Sequence, residues 1–108
     1  GKGLRVFFSR TNRIMSKIGN PFRVTEFAQA KIAAFFKEYP PRQPIRVFLF
    51  RSGRNGPQPA MALDRIKASD AVIVLSDIEY VIDKELLEKA GTVQIDYGNT
   101  GFEINFSN

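Results

Sequence analysis

Residues 24–50 run Val24-Thr-Glu-Phe-Ala-Gln-Ala-Lys-Ile-Ala-Ala-Phe-Phe-Lys-Glu-Tyr39, then Pro40-Pro-Arg-Gln-Pro44, then Ile45-Arg-Val-Phe-Leu-Phe50. Their reading decides the fold. Ala28, Ile32, Phe35, Phe36 and Tyr39 recur at three- and four-residue spacing, the period of a helix with one apolar face. Thr25 stands where a hydroxyl can accept an unpaired backbone N–H, and Glu26 follows at the positive end of the helix dipole. Pro40-Pro41 ends the segment, because neither ring can donate the next helical hydrogen bond. The spacing therefore predicts a helix over 25–39. Ile45–Phe50 alternates instead, and Phe48 and Phe50 make its second face apolar as well, as in a central strand covered on both sides.

Working outward, Arg51-Ser-Gly-Arg-Asn-Gly-Pro57 is a glycine-punctuated loop that leads into a short segment, Ala60–Asp64. The apolar runs Ala71–Leu75 and Ile78–Ile82 are separated by Ser76-Asp77, which is hairpin spacing. Asp83 is placed to cap a short helix over 84–90 that Gly91 ends. Thr92–Tyr97 and Phe102–Phe106 make a last pair of strands, with Phe102, Ile104 and Phe106 on one face and Glu103 and Asn105 on the other. The order of helix, strands, short helix and strands is α+β with β dominant. Upstream, Leu4–Phe8 reads as a strand, and Gly19-Asn-Pro21 as a turn and domain boundary.

Composition removes whole classes of chemistry. The chain has 108 residues, within the span of one domain, and its 44% hydrophobic content with ten Phe can fill a core. It has no Cys, His or Trp. Disulfides, thiolate metal sites, cysteine nucleophiles and Ser-His-Asp triads are therefore excluded within it. No apolar run exceeds five residues, the length of Ala71–Leu75, far short of a membrane span.

The net charge of +5 is unevenly placed. Residues 1–54 hold twelve Lys and Arg against Glu26 and Glu38, a net +10, whereas residues 55–108 carry a net −5. Lys2, Arg5, Arg10, Arg13, Lys17 and Arg23 contribute six positive charges with no acid among the first 23 residues, and the remainder carries −1. Residues 1–20 are expected to be a basic extension outside the folded domain: an expression tag, a native extension, a disordered arm for nucleic acid, or a targeting remnant.

Three constellations are candidates for chemistry. In the loop Arg51, Ser52, Gly53, Arg54, Asn55, Gly56, guanidinium forks beside glycine backbone could hold a phosphate or carboxylate. The same glycines could equally serve a solvated turn by supplying positive φ. Among the acids, Asp77 and Asp83 sit at a turn and a cap, while Glu79 and Glu103 face outward. Asp64 and Asp96 have no evident local role and are the candidates for a carboxylate pair. Most of the thirteen aromatics fall in helix and strand patterns as core, leaving Phe7, Phe8 and Phe22 in the basic segment for surface contacts.

From Arg23 onward the chain resembles the HesB-like domain of A-type iron–sulfur cluster carriers, in a divergent form. The matching pieces are VTEFAQAKIAAFFKEY, IRVFLF, the glycine loop leading into MALD, VIDKELLEKAG, VQIDY and GFEINFSN, in that order. The resemblance implies a compact β-sandwich or barrel-like domain over 21–108, with an N-terminal helix and a short second helix. In that family a cysteine stands in the glycine loop and a Cys-Gly-Cys tail follows the last strand. Those thiolates hold iron or an iron–sulfur cluster, usually between protomers. Here Arg54 falls at or near the loop cysteine's place, and the tail would begin at about Asn108. A guanidinium where the family holds a thiolate disfavours metal electrostatically.

The expectation is a non-enzymatic HesB-like domain without iron, cluster or other cofactor, acting through protein contacts or an anion at Arg51–Gly56. Family analogy implies a homodimer and protein partners in iron–sulfur assembly. A nucleic-acid-binding module using the basic N-terminal segment is the alternative, disfavoured because that charge lies outside the domain. An enzyme using Asp64 or Asp96 ranks last, since no substrate suggests itself. No secretory signal is evident, so the cytoplasm is the expected location.

Overall fold

In the computed structural model of the chain, residues 21–51, 53 and 56–107 are described. The expected strand at Leu4–Phe8, the residues Gly19 and Asn20, and Phe7 and Phe8 lie outside them. Nine elements succeed one another: β1 (Phe22–Val24), α1 (Glu26–Glu38), β2 (Ile45–Arg51), β3 (Pro57–Leu63), β4 (Asp70–Leu75), β5 (Ile78–Asp83), α2 (Lys84–Ala90), β6 (Val93–Gly98) and β7 (Gly101–Phe106). They form a four-stranded sheet in the order β3-β2-β5-β4 and a three-stranded sheet in the order β1-β6-β7. This is the mainly-β α+β fold expected, with both helices in place.

The helix ends obey local chemistry. The Thr25 hydroxyl accepts the Ala28 N–H at 3.2 Å, and the helix stops at Glu38 with Tyr39 as its C-cap, before the two prolines. Asp83 accepts from the N–H groups of Glu85 and Leu86, and Gly91 closes α2 at a φ of 77°. The β4–β5 turn places Ser76 and Asp77 at φ values of 51° and 66°, the left-handed pair that a two-residue hairpin requires even without glycine. Asp tolerates that conformation better than most side chains.

β2 is central, as expected, pairing antiparallel with β3 and parallel with β5. The β5 ladder covers only Ile45–Val47, so Leu49 and Phe50 run beyond it and stay 42% and 53% exposed. β3 starts earlier than the segment read from sequence, at Pro57 rather than Ala60. It is an edge strand, where a proline's missing N–H can be accommodated.

Two expectations about aromatics fail. Phe22, assigned to surface contacts, is 2% exposed, and its ring lies 5.7 Å from that of buried Tyr80 in the other sheet. It belongs to β1, whose parallel pairing with β6 across some seventy residues of chain gives no local period to read. Several aromatics read as core from their helix or strand pattern are also not core, while Tyr97 and Phe106 pack against it half-buried. Phe27, Phe35, Tyr39, Phe50 and Phe102 are exposed, and only Phe22, Phe36 and Tyr80 are fully buried. On α1 the buried stripe is Ala28, Ile32 and Phe36, with Phe35 and Tyr39 stacked beside it in the open.

Burial of Tyr80 raises its phenol from 10.0 to about 12. The folded state therefore favours the neutral phenol, while the unfolded chain ionises near pH 10. The stability that this burial of a neutral phenol contributes is complete below pH 10 and is lost as pH rises toward 12. Denaturant unfolding measured across pH 9–12 should show this decline, and Tyr80→Phe should flatten it. An equal decline in the variant would assign the effect to other groups.

Candidate functional site

The predicted loop stands at the open end of the β2–β3 hairpin, where Arg51 pairs with Pro57. Arg51 is exposed and has no acidic partner among the described residues. Gly53 and Gly56 hold φ values of 79° and 73°, and the Gly56 N–H donates to the Gly53 carbonyl at 3.3 Å. A Cβ at either glycine would meet nothing within 4 Å, so their use here is conformational freedom rather than close approach to a neighbour. Ser52, Arg54 and Asn55 lie outside the described residues.

The acids arrange themselves differently from expectation. Asp64 and Asp96 do not form a pair. Asp64 follows β3 of the four-stranded sheet, and Asp96 lies in β6 of the other. Each has a local role after all: Asp96 accepts the Thr25 hydroxyl at 3.0 Å and the Tyr97 N–H at 2.8 Å, tying the start of α1 to β6. Asp64 instead shares Arg46 with Asp70. The Arg46 guanidinium donates to Asp64 Oδ2 at 2.7 Å and, through two nitrogens, to both Asp70 carboxylate oxygens at 2.8 and 2.6 Å. It also donates to the Arg65 carbonyl at 2.9 Å, clamping the 64–70 connection onto β2. The Asp70 side chain is 1% exposed in this arrangement. Arg46 beside them holds both carboxyls below the ordinary carboxylate range, and the two acids raise the guanidinium in return. Carboxylates so engaged are poor proton acceptors, and their lone pairs are already committed.

A groove of about 460 Å³ opens between α1 and the facing edges of the two sheets. Its walls are Lys31 and Phe35 from α1, Met61 and Leu63 from β3, and Tyr97 and Phe102 from the β6–β7 turn region. Tyr97 and Phe102 meet edge to face at 4.8 Å, and the Lys31 ammonium lies 5.2 Å from the Tyr97 ring centre. Glu38 marks the other end of the helical wall. The sequence reading missed this groove because five elements, α1, β2, β3, β6 and β7, build it from distant parts of the chain. The one available signal was the width of the α1 apolar face, which Phe35 and Tyr39 extend beyond the stripe of Ala28, Ile32 and Phe36.

The arrangement of the two sheets has counterparts among solved structures. A protein from Aquifex aeolicus solved by solution NMR matches 81% of this chain and 90% of its own, at 24% identity and a TM-score of 0.60. Escherichia coli SufA, involved in biosynthesis of iron–sulfur clusters, matches over 79% of each chain at 12% identity and a TM-score of 0.65. IscA with its [2Fe-2S] cluster matches 81% of this chain and 84% of its own at 17% identity, with a TM-score of 0.59. The chain has the HesB-like fold. No protein-family model and no curated protein sequence matches it.

A cluster of the kind IscA holds does not fit the residues of this HesB-like chain. The whole sequence has no cysteine and no histidine. Among the described residues, no three acids come close enough to hold a metal ion. The two acids that do converge, Asp64 and Asp70, enclose a guanidinium instead. Among the described residues, no helix is long and apolar enough to cross a membrane.

Proposed function

We propose that this chain is a non-enzymatic HesB-like domain that works through non-covalent contacts, without a cluster. The observation that carries the reading is the donor set: the framework matches SufA and IscA over about four fifths of the chain, yet thiolate and imidazole are absent throughout. Catalysis without Cys or His would rest on carboxylates, and Asp64 and Asp70 are held ionised by Arg46. Contact is supported by the groove, with Phe35, Leu63 and Phe102 exposed around it. The loop Arg51, Ser52, Gly53, Arg54, Asn55, Gly56 would add anion contacts at the end of the β2–β3 hairpin, through Arg51, which has no acidic partner among the described residues, and the second arginine of the loop. A protein partner presenting an apolar segment next to an acidic one fits both.

Anaerobic reconstitution with ferrous iron and sulfide tests the reading. The expected product carries no stoichiometric cluster chromophore after desalting, while a cysteine-containing relative of the same fold acquires one in parallel. A stable chromophore at one cluster per chain or per pair of chains would overturn it.

A further inference from the structure

Lys31, Ala34, Phe35 and Glu38 stand at positions i, i+3, i+4 and i+7 of α1, and all four line the groove. They form a second stripe beside the buried one of Ala28, Ile32 and Phe36. Its two ends carry opposite charge. Lys31 lies over the Tyr97 ring and Glu38 marks the far end, and neither joins an ion pair among the described residues. Seven helical positions separate them by about 10 Å along the axis. Between them the walls are aromatic, with Phe35 on one side and the Tyr97–Phe102 pair on the other.

The size of the groove selects the form of its occupant. A volume of about 460 Å³ spread over that run of about 10 Å gives a cross-section of about 46 Å². One extended chain takes about the same, since paired strands sit about 4.8 Å apart and packed layers about 10 Å apart. A helix, about 10–12 Å across with its side chains, is too wide. In an extended chain alternate side chains point the same way, about 6.8 Å apart. A residue placed opposite Phe35 therefore has same-side neighbours, two positions away in each direction, that reach Lys31 and Glu38. An aromatic residue suits that central place, because rings gain from edge-to-face and offset contact with other rings.

We infer that the groove takes an extended segment of a partner protein in which an aromatic residue stands between an acid and a base, one residue apart from each. The aromatic ring enters between Phe35 and the Tyr97–Phe102 pair, the acid meets Lys31, and the base meets Glu38. This names the partner chemistry of the contact site proposed above and rests on that reading. Residues 1–20 do not fit the pattern, because their five Lys and Arg come with no acid to meet Lys31. The two charges sit at the rim in water, so they choose among segments more than they add affinity.

The test titrates three capped peptides into the full isotope-labelled chain at low salt and follows the backbone amide shifts. The first contains Asp-Ser-Phe-Ser-Lys, the second Lys-Ser-Phe-Ser-Lys and the third Ser-Ser-Phe-Ser-Ser. The first should bind about threefold or more tightly than either of the others, with shifts centred on Lys31, Phe35 and Phe102. Lys31→Glu puts two acids at the rim, so the peptide with two lysines should become the tightest, again by about threefold or more. Both preferences should shrink as added salt screens the pairs. Equal affinities for the three peptides overturn the inference and leave the apolar groove as a contact site. An unchanged order in Lys31→Glu, or shifts centred away from the groove, overturns it as well. Binding of no peptide overturns both the inference and the contact role of the groove. A cluster chromophore on reconstitution instead overturns the cluster-free reading and leaves these affinities untouched.

Discussion

Phe22→Ala is expected to destabilise the domain by about 3–5 kcal/mol, the range for emptying a large aromatic from a close-packed core. The ring is 2% exposed and faces Tyr80 across the two sheets, so its loss leaves a cavity where the layers meet. It also anchors β1. The Val93 N–H donates to the Pro21 carbonyl at 2.7 Å and the Thr25 N–H to the Ile95 carbonyl at 3.0 Å, at the two ends of the strand that Phe22 seats in the core. Phe27, five residues on and 76% exposed, is the matched control, and its alanine variant should stay within about 0.5 kcal/mol of the parent. Urea denaturation of both variants decides the matter. Two small and similar effects would mean that β1 is not part of the stable core.

Arg46→Met is expected to cost about 3 kcal/mol, at the low end of the range for removing one partner of a buried ion pair. The loss comes from Asp70, whose side chain is 1% exposed and would keep its charge with no cation to meet it. The double variant Arg46→Met with Asp70→Leu should recover most of the stability, because the pair as a whole contributes less than either half left alone. The pH dependence carries a second signature. Asp64 and Asp70 are held below their ordinary value of 3.8 in the folded state, so the parent's stability from this network is present at neutral pH and is lost as pH falls below that range. In Arg46→Met the buried Asp70 prefers its neutral form, and acidification should restore stability instead of removing it. Unfolding curves from pH 7 down to pH 3 compare the two slopes. Parallel slopes would place the stabilisation elsewhere.

The legible parts of the fold are those in which a short stretch of chain carries its own reason. Thr25 and Asp83 cap their helices, Gly91 ends α2, and Ser76-Asp77 turns β4 into β5, each through bonds reaching no more than four residues. The resemblance to HesB-like domains was legible for a related reason, since it rests on the order of such pieces, and the match to SufA and IscA bears it out at the level of fold. What was misread depends on partners distant in sequence. Phe22 looked like part of a basic tail until β6 paired with it. Asp64 and Asp96 looked idle until Arg46 and Thr25 supplied their hydrogen bonds from 18 and 71 residues away. Phe35 and Tyr39 share the period of the α1 core stripe, and a helical period does not say how wide a face the neighbouring sheet will cover.

By itself, the sequence determined the chemistry this protein lacks. A side chain that is absent cannot be restored by folding, so the zero counts of cysteine and histidine exclude thiolate and imidazole ligation whatever the topology. It also determined the helices and the tight hairpin, because their bonds are local. Only the tertiary structure decided how the remaining groups are used. It spends Asp64 and Asp70 on an arginine and gathers an aromatic groove from five elements. Each of these depends on which strands become neighbours. That is settled by burying apolar faces against one another across long separations of chain, a balance no short window of sequence contains.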